Sequence, residues 1–236
     1  MTRLGLFSSL LLLSLVFCSA AGALAQAMDR TNLEKEIQSL IDQLKAKEAQ
    51  LFEPSADDRT AFAEFLRQPG AGLTRLMPGE KYDGRLLTRG AGAYYSFVRL
   101  THEYGFGSDL SLEQNQFGVG FAGASFGFLT SLGDVPLASV SVDDRAVKFL
   151  SALAVPSKEE DAREQYRLGH SGFDSGGVRY ANRLPAVANA TYALRSVDYK
   201  RSDVLVAFRV VRQDSDGSMV LLWKILKRFP TPELAP

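Results

Sequence analysis

Ser175, in the string Phe173-Asp174-Ser175-Gly176-Gly177, and the two histidines, His102 and His170, are the residues of this chain that could perform acyl transfer. A serine hydroxyl becomes a nucleophile when an imidazole takes its proton, a carboxylate orients that imidazole, and backbone amides receive the developing oxyanion. Metal chemistry finds less material. His102 with Glu103, and His170, lie at separations from other carboxylates that match no zinc ligand spacing. Asp214, Asp216 and Gly217 open like a calcium loop but lack the remaining oxygen ligands and the closing glutamate, so they read as a hairpin turn. Asp143-Asp144 also reads as a turn. With no phosphate-binding glycine loop and no dinucleotide fingerprint, neither cofactor nor metal is expected. A different chemistry, ligand contact through aromatic faces, is suggested by Tyr94, Tyr95, Phe97 and Tyr104 in a glycine-rich setting.

The serine string is similar to the Gly-Asp-Ser-Gly-Gly string of the trypsin-like serine proteases, and His102 and several aspartates precede it in that family's His, Asp, Ser order. The resemblance implies Ser175 as nucleophile and a histidine as its base. It covers five residues. Phe173 stands where the family has a glycine that helps form the oxyanion hole, the small-residue and cysteine setting of the family histidine is missing, and His102 lies much closer to Ser175 along the chain. No family is assigned across the length of the sequence.

The elements that must position these residues change period along the chain. Residues 28–53 are polar and glycine-free, with Leu33, Ile37, Leu40, Leu44 and Leu51 at alternating steps of four and three. That spacing predicts an amphipathic helix and a possible coiled coil, although Lys47 interrupts the seam and Ile41 widens it. Pro54 ends this helix, and Ser55 offers a cap to a second, in which Phe62, Phe65 and Leu66 share a face. From about Lys81 short runs of aromatic and β-branched residues predict strands at 85–88, 93–101, 116–122, 125–131, 137–142, 147–155, 191–199, 204–212 and 218–229. Both faces of the 204–212 run are largely apolar, which predicts a central strand covered on one side by a helix or a second sheet, with the N-terminal helices as the expected cover. Ser157 and Glu160 form a capping-box pattern for a short exposed helix ending at Gly169. Residues 170–189 show little periodicity and read as a long loop, the expected place for a site. The expected fold is α+β: N-terminal amphipathic helices, then a mostly antiparallel β-sheet or small β-barrel in a single domain over 54–236.

Residues 1–27 carry the pattern of a cleaved secretory signal peptide: Arg3, an apolar run from Leu4 to Phe17, and small residues up to Ala25 and Ala27. The only cysteine, Cys18, leaves with that signal, so the mature chain forms no disulfide. Bulky Phe17 before Cys18 argues against a lipoprotein signal, and no transmembrane span remains after cleavage. Lysine plus arginine and aspartate plus glutamate number 27 each, so no net field recruits nucleic acid. The sequence is therefore read as an exported, periplasmic or extracellular protein of non-enzymatic character, whose β-rich domain binds a ligand or a cell-envelope partner. One alternative is a hydrolase using Ser175. Another is an assembly protein acting through the 29–52 helix, with homo-oligomers forming through Leu33, Ile37, Leu40 and Leu44.

Overall fold

A computed structural model describes the backbone of residues 5–102, 104–105, 107–121 and 125–235, and side chains from Asp29 onward. The assigned signal peptide thus lies outside the described residues, apart from the helical backbone that starts at Gly5. Among the described residues no helix is long and apolar enough to cross a membrane.

The chain divides into two units, Met1–Lys47 and Glu48–Pro236. Helix α1 (Gly5–Phe52) supplies the first and ends in the second. Leu33, Ile37, Leu40 and Leu44 are exposed to 54, 56, 58 and 47%.

The second unit is α+β with antiparallel sheets. It begins with α2 (Ala56–Ala61), where the Ser55 and Asp58 side chains close a reciprocal capping box, and a 3-10 turn at Phe65–Arg67. Strand β1 (Ala71–Leu76) and the short helix α3 (Gly79–Tyr82) follow, then β2 (Tyr94–Tyr95), β3 (Leu110–Glu113), β4 (Gln116–Gly118) and β5 (Phe126–Gly133). Helices α4 (Arg145–Ala152) and α5 (Glu159–Ser171) precede three short strands, β6 (Phe173–Ser175), β7 (Val178–Tyr180) and β8 (Arg183–Pro185). The chain closes with β9 (Thr191–Asp198), β10 (Ser202–Gln213) and β11 (Met219–Arg228).

Five strands form one antiparallel sheet in the order β1-β11-β10-β9-β5, and four form a second in the order β2-β3-β4-β8. The alternation of β10 decides how these layers stack. Val204, Val206, Phe208 and Val210 enter the core shared with Tyr95, Leu112 and Phe117 of the smaller sheet and with Phe97 just after β2. There Tyr192 and Phe208 stack at 5.1 Å, and Phe117 meets both edge-on. Leu205 and Ala207 point the other way, into a core closed by Val147 and Leu150 of α4 and Ala162 of α5. The central strand is thus covered on both faces, where its sequence predicts cover on one side by a helix or a second sheet. On this face α4 packs against β9 and β5 and α5 against β5, while Phe62, Phe65 and Leu66 of the expected N-terminal cover are partly buried at the same core.

Several elements differ from the expected ones. Of residues 147–155, those up to Ala152 are helical, because Val147 and Leu150 share a face at a helical step, with Asp144 O accepting the Lys148 amide at 2.7 Å. Residues 85–88 form turns and 137–142 a 3-10 turn with extended flanks. The Ser157 capping box does not form: the N-cap of α5 is Lys158, with no side-chain cap bond, and the helix continues to Ser171, stopped by Gly172 at φ +66°. Glu159 and Arg163, one helical turn apart, pair along its surface at 2.6 Å. The stretch 170–189 is no loop, since it ends α5 and holds β6, β7 and β8. Strand β1 escaped the periodicity because its second residue is Gly72, where the Trp223 indole lies so close that a Cβ would stand 2.1 Å from it.

Candidate functional site

The 84–94 segment is pinned by an acid from the end of α1. Glu48 is buried, and its carboxylate accepts hydrogen bonds from the amides of Leu87 (2.5 Å) and Thr88 (2.8 Å) and from the Thr88 hydroxyl (2.6 Å). Beyond it the chain folds through Gly90, Ala91 and Gly92, all in the left-handed region at φ +81, +52 and +76°. Gly92 has a second reason to lack a side chain, because a Cβ there would meet the Phe52 ring at 2.4 Å.

This turn delivers Arg89 and Tyr94 to one surface. The Arg89 carbonyl accepts the Tyr104 amide at 2.8 Å, and its guanidinium lies over the Tyr104 ring at 5.0 Å. The Tyr94 ring packs 4.5 Å from Tyr104 and edge-on to Phe121 at 5.2 Å. Tyr94 is fixed at its other end, where its hydroxyl donates to Glu113 at 2.5 Å while Arg183 reaches the other oxygen of Glu113 at 3.4 Å. Burial and the Glu113 carboxylate push the Tyr94 phenol well above its usual range, so it remains a proton donor.

Two cavities adjoin here and share Arg89 and Tyr104 as a common wall. One, of about 440 Å³, has an apolar wall of Tyr104, Phe121, Val197, Tyr199 and Leu234. Its polar lining is Ser108, Ser125, Ser196, Asp198, Lys200 and Arg201, with Arg89. Asp198 accepts from Ser125 Oγ at 2.8 Å and pairs with Arg201 at 3.2 Å. The other cavity, of about 510 Å³, is more polar and is lined by Glu80, Asp83, Tyr94, Glu113 and Arg183 in addition to the shared wall. Beside Ser108 lies the fully buried Asp109. Burial pushes its carboxyl up to about 7 against the opposing pull of the Ser196 hydroxyl, the Phe97 amide (2.8 Å) and the Ser96 hydroxyl (3.4 Å).

The residues expected at a site divide between these walls and the core. Tyr94 and Tyr104 line the cavities. Tyr95 and Phe97 are buried between the sheets, 5% and 0% exposed, and the Tyr95 phenol is pushed up to about 12 by burial. His102 is held in the same region between the rings of Phe52 (5.0 Å) and Tyr95 (4.9 Å). Its Nε2 donates to the Arg75 carbonyl at 2.8 Å and lies 3.0 Å from the Thr74 hydroxyl. Burial pushes this imidazole down to about 4, leaving it neutral. Ser175 ends β6 at the tip of a small hairpin whose Phe173 packs into the core on the opposite face of the five-stranded sheet. The sheet therefore separates Ser175 from His102. His170 is exposed near the end of α5, and among the described residues no hydrogen bond joins it to Ser175. Asp174 pairs with Arg179 at 3.3 Å, and Arg145 Nη2 donates to the Gly176 carbonyl. Among the described residues no three His, Cys, Asp or Glu side chains could hold a metal ion.

Arg89, Phe121 and Lys200 were not singled out from sequence. Arg89 had one usable signal, its position just before three small residues that bend sharply; Lys200, more than a hundred positions away, had none. Comparison of the chain with protein-family models, with curated proteins and with solved structures found no match.

Proposed function

We propose that this chain is an exported, non-enzymatic protein whose β-rich domain holds a small ligand in the paired cavities around Arg89 and Tyr104. The observation that carries the reading is the shared wall: an aromatic cluster of Tyr94, Tyr104 and Phe121, locked by Glu113, separates two recesses each large enough for a small molecule. Export rests on the N-terminal pattern of Arg3, the apolar run and Ala25 and Ala27, which makes the periplasm or the extracellular space the working compartment. The engagement of His102 with Arg75 and Thr74, and the lack among the described residues of a hydrogen bond from His170 to Ser175, weigh against the hydrolase alternative.

The neutral apolar dye N-phenyl-1-naphthylamine tests the cavity. The mature protein is expected to bind it with a rise in fluorescence, and Tyr104→Ala or Phe121→Ala to weaken binding about fivefold, near ~1 kcal/mol for one lost aromatic contact. Undiminished binding in both variants would place the dye elsewhere. A serine-directed fluorophosphonate should leave the protein unlabelled; labelling abolished by Ser175→Ala would replace this reading with the hydrolase.

The exposure of Leu33, Ile37, Leu40 and Leu44 favours a second role for the N-terminal helix, self-association through a short coiled coil. Light scattering of the mature protein is expected to give a mass above the monomer's that falls to the monomer value in Leu40→Glu/Leu44→Glu. A wild-type monomer at high micromolar concentration would remove this role.

A further inference from the structure

We propose that the ligand of the smaller cavity is an organic anion: a carboxylate, sulfonate or phosphate group carried on an apolar body, its charge met by Arg89 and Lys200 and its body by Tyr104, Phe121, Val197, Tyr199 and Leu234. This inference rests on the cavity reading above and adds the chemistry of what enters.

The charge pattern singles out one cavity of the two. The smaller is lined by three cations, Arg89, Lys200 and Arg201, and one carboxylate, Asp198. Asp198 is already matched by Arg201 and by the Ser125 hydroxyl. Among the described residues neither the Arg89 guanidinium nor the Lys200 ammonium has a hydrogen bond or ion pair, and the guanidinium lies over the face of Tyr104. Two positive charges with no direct polar partner among the described residues therefore border a recess whose remaining wall is largely apolar. A guanidinium stacked on a ring keeps its in-plane donors directed outward, which suits the oxygens of a carboxylate, sulfonate or phosphate. The neighbouring cavity has the opposite balance, with Glu80, Asp83 and Glu113 against Arg89 and Arg183, and it does not favour an anion.

The backbone supports the same placement. Lys200 sits in the tight turn between β9 and β10 at φ +63°, a conformation that a lysine adopts at a cost. Its amide is bound by the Pro232 carbonyl at 2.8 Å, which ties the C-terminal segment bearing Leu234 to the same turn. The turn thus fixes a cation and an apolar wall together at one mouth.

A pair of dyes tests the inference. The anionic 1-anilinonaphthalene-8-sulfonate and the neutral N-phenyl-1-naphthylamine share an aromatic body and differ in the sulfonate. The wild-type protein is expected to bind the anionic dye at least tenfold more tightly, and Arg89→Gln/Lys200→Asn to reduce that ratio to about one, the ratio between the two dyes being the readout. Asparagine at 200 tolerates the left-handed backbone, and near-ultraviolet circular dichroism confirms the fold. Should the double variant fail to fold, salt on the wild type gives the same answer: raising sodium chloride from 20 to 500 mM should weaken the anionic dye several-fold and spare the neutral one. Displacement then separates the sources of such an anion, with oleate expected to compete if the natural body is an acyl chain, 2-naphthoate if it is aromatic, and inorganic phosphate to fail in either case. Equal affinities for the two dyes in the wild type, a preference surviving in the folded double variant, or displacement by inorganic phosphate alone would each overturn the inference while leaving the cavity reading intact. If neither dye binds, both readings fall.

Discussion

Arg195→Ala is expected to remove about 3–5 kcal/mol of folding stability, the range found when one partner of a buried ion pair is deleted. Arg195 on β9 and Asp203 on β10 have side chains 3% and 2% exposed, and the guanidinium grips both carboxylate oxygens, through Nε at 2.9 Å and Nη2 at 2.8 Å. Its Nη1 donates to the carbonyls of Leu150 (2.9 Å) and Leu153 (2.8 Å), which close the C-terminal end of α4, and the Phe229 ring covers its face at 3.7 Å. Alanine leaves a buried carboxylate and two buried carbonyls without their donor. Urea unfolding followed by Trp223 fluorescence and far-ultraviolet circular dichroism should show the midpoint falling with little change of slope. Arg195→Ala/Asp203→Asn should recover part of the loss, because it removes the stranded charge but not the stranded carbonyls. A single-variant loss below about 1 kcal/mol would mean that water reaches the pair and that α4 is not anchored through it.

The same residue shows what periodicity can and cannot convey. In β9 and β10 alternating apolar positions identify strands, and the double-sided apolar character of β10 identifies its place at the centre. Arg195 looks like an exposed residue in that pattern, because a single sequence carries no mark of the carboxylate and carbonyls that will surround it. Short elements are harder still. Strands β6, β7 and β8 are three residues each, less than two periods of the strand repeat, so the segment reads as loop. Val147 and Leu150 fit a strand by residue type and a helix by spacing, and burial against the sheet decides for the helix. At the site, Tyr94 and Tyr95 are adjacent and therefore face opposite sides of β2. The sequence marks both as aromatic, but only packing tells which one meets the core. Arg89 and Lys200 come together through the β9–β10 turn and the stacking of two sheets, a juxtaposition with no local signature.

Stability should change little between pH 4 and 6.5 in the wild type, because a buried carboxyl and a half-buried imidazole with opposite responses cancel. Asp109 has its folded value raised from the ordinary 3.8 to about 7. Between those values the unfolded chain has lost this proton and the folded one keeps it, so the group's contribution falls as pH rises, by about 4 kcal/mol over the whole interval. His102 has its folded value lowered from 6.5 to about 4. In that window the unfolded chain binds a proton that the folded one refuses, so its contribution rises with pH, by about 3 kcal/mol. Replacing each group with a neutral residue should expose the other. In Asp109→Asn, whose amide oxygen can still accept the Phe97 amide, stability should climb steeply from pH 4 to 6.5 and exceed the wild type's at pH 8. In His102→Gln, which can still donate to the Arg75 carbonyl, stability should instead decline from pH 4 to 7. Urea midpoints measured at half-unit pH steps would show two slopes of opposite sign. Parallel profiles for the two variants would mean that neither group is held dry, and that the space between the sheets admits water beside Ser108 and Ser196.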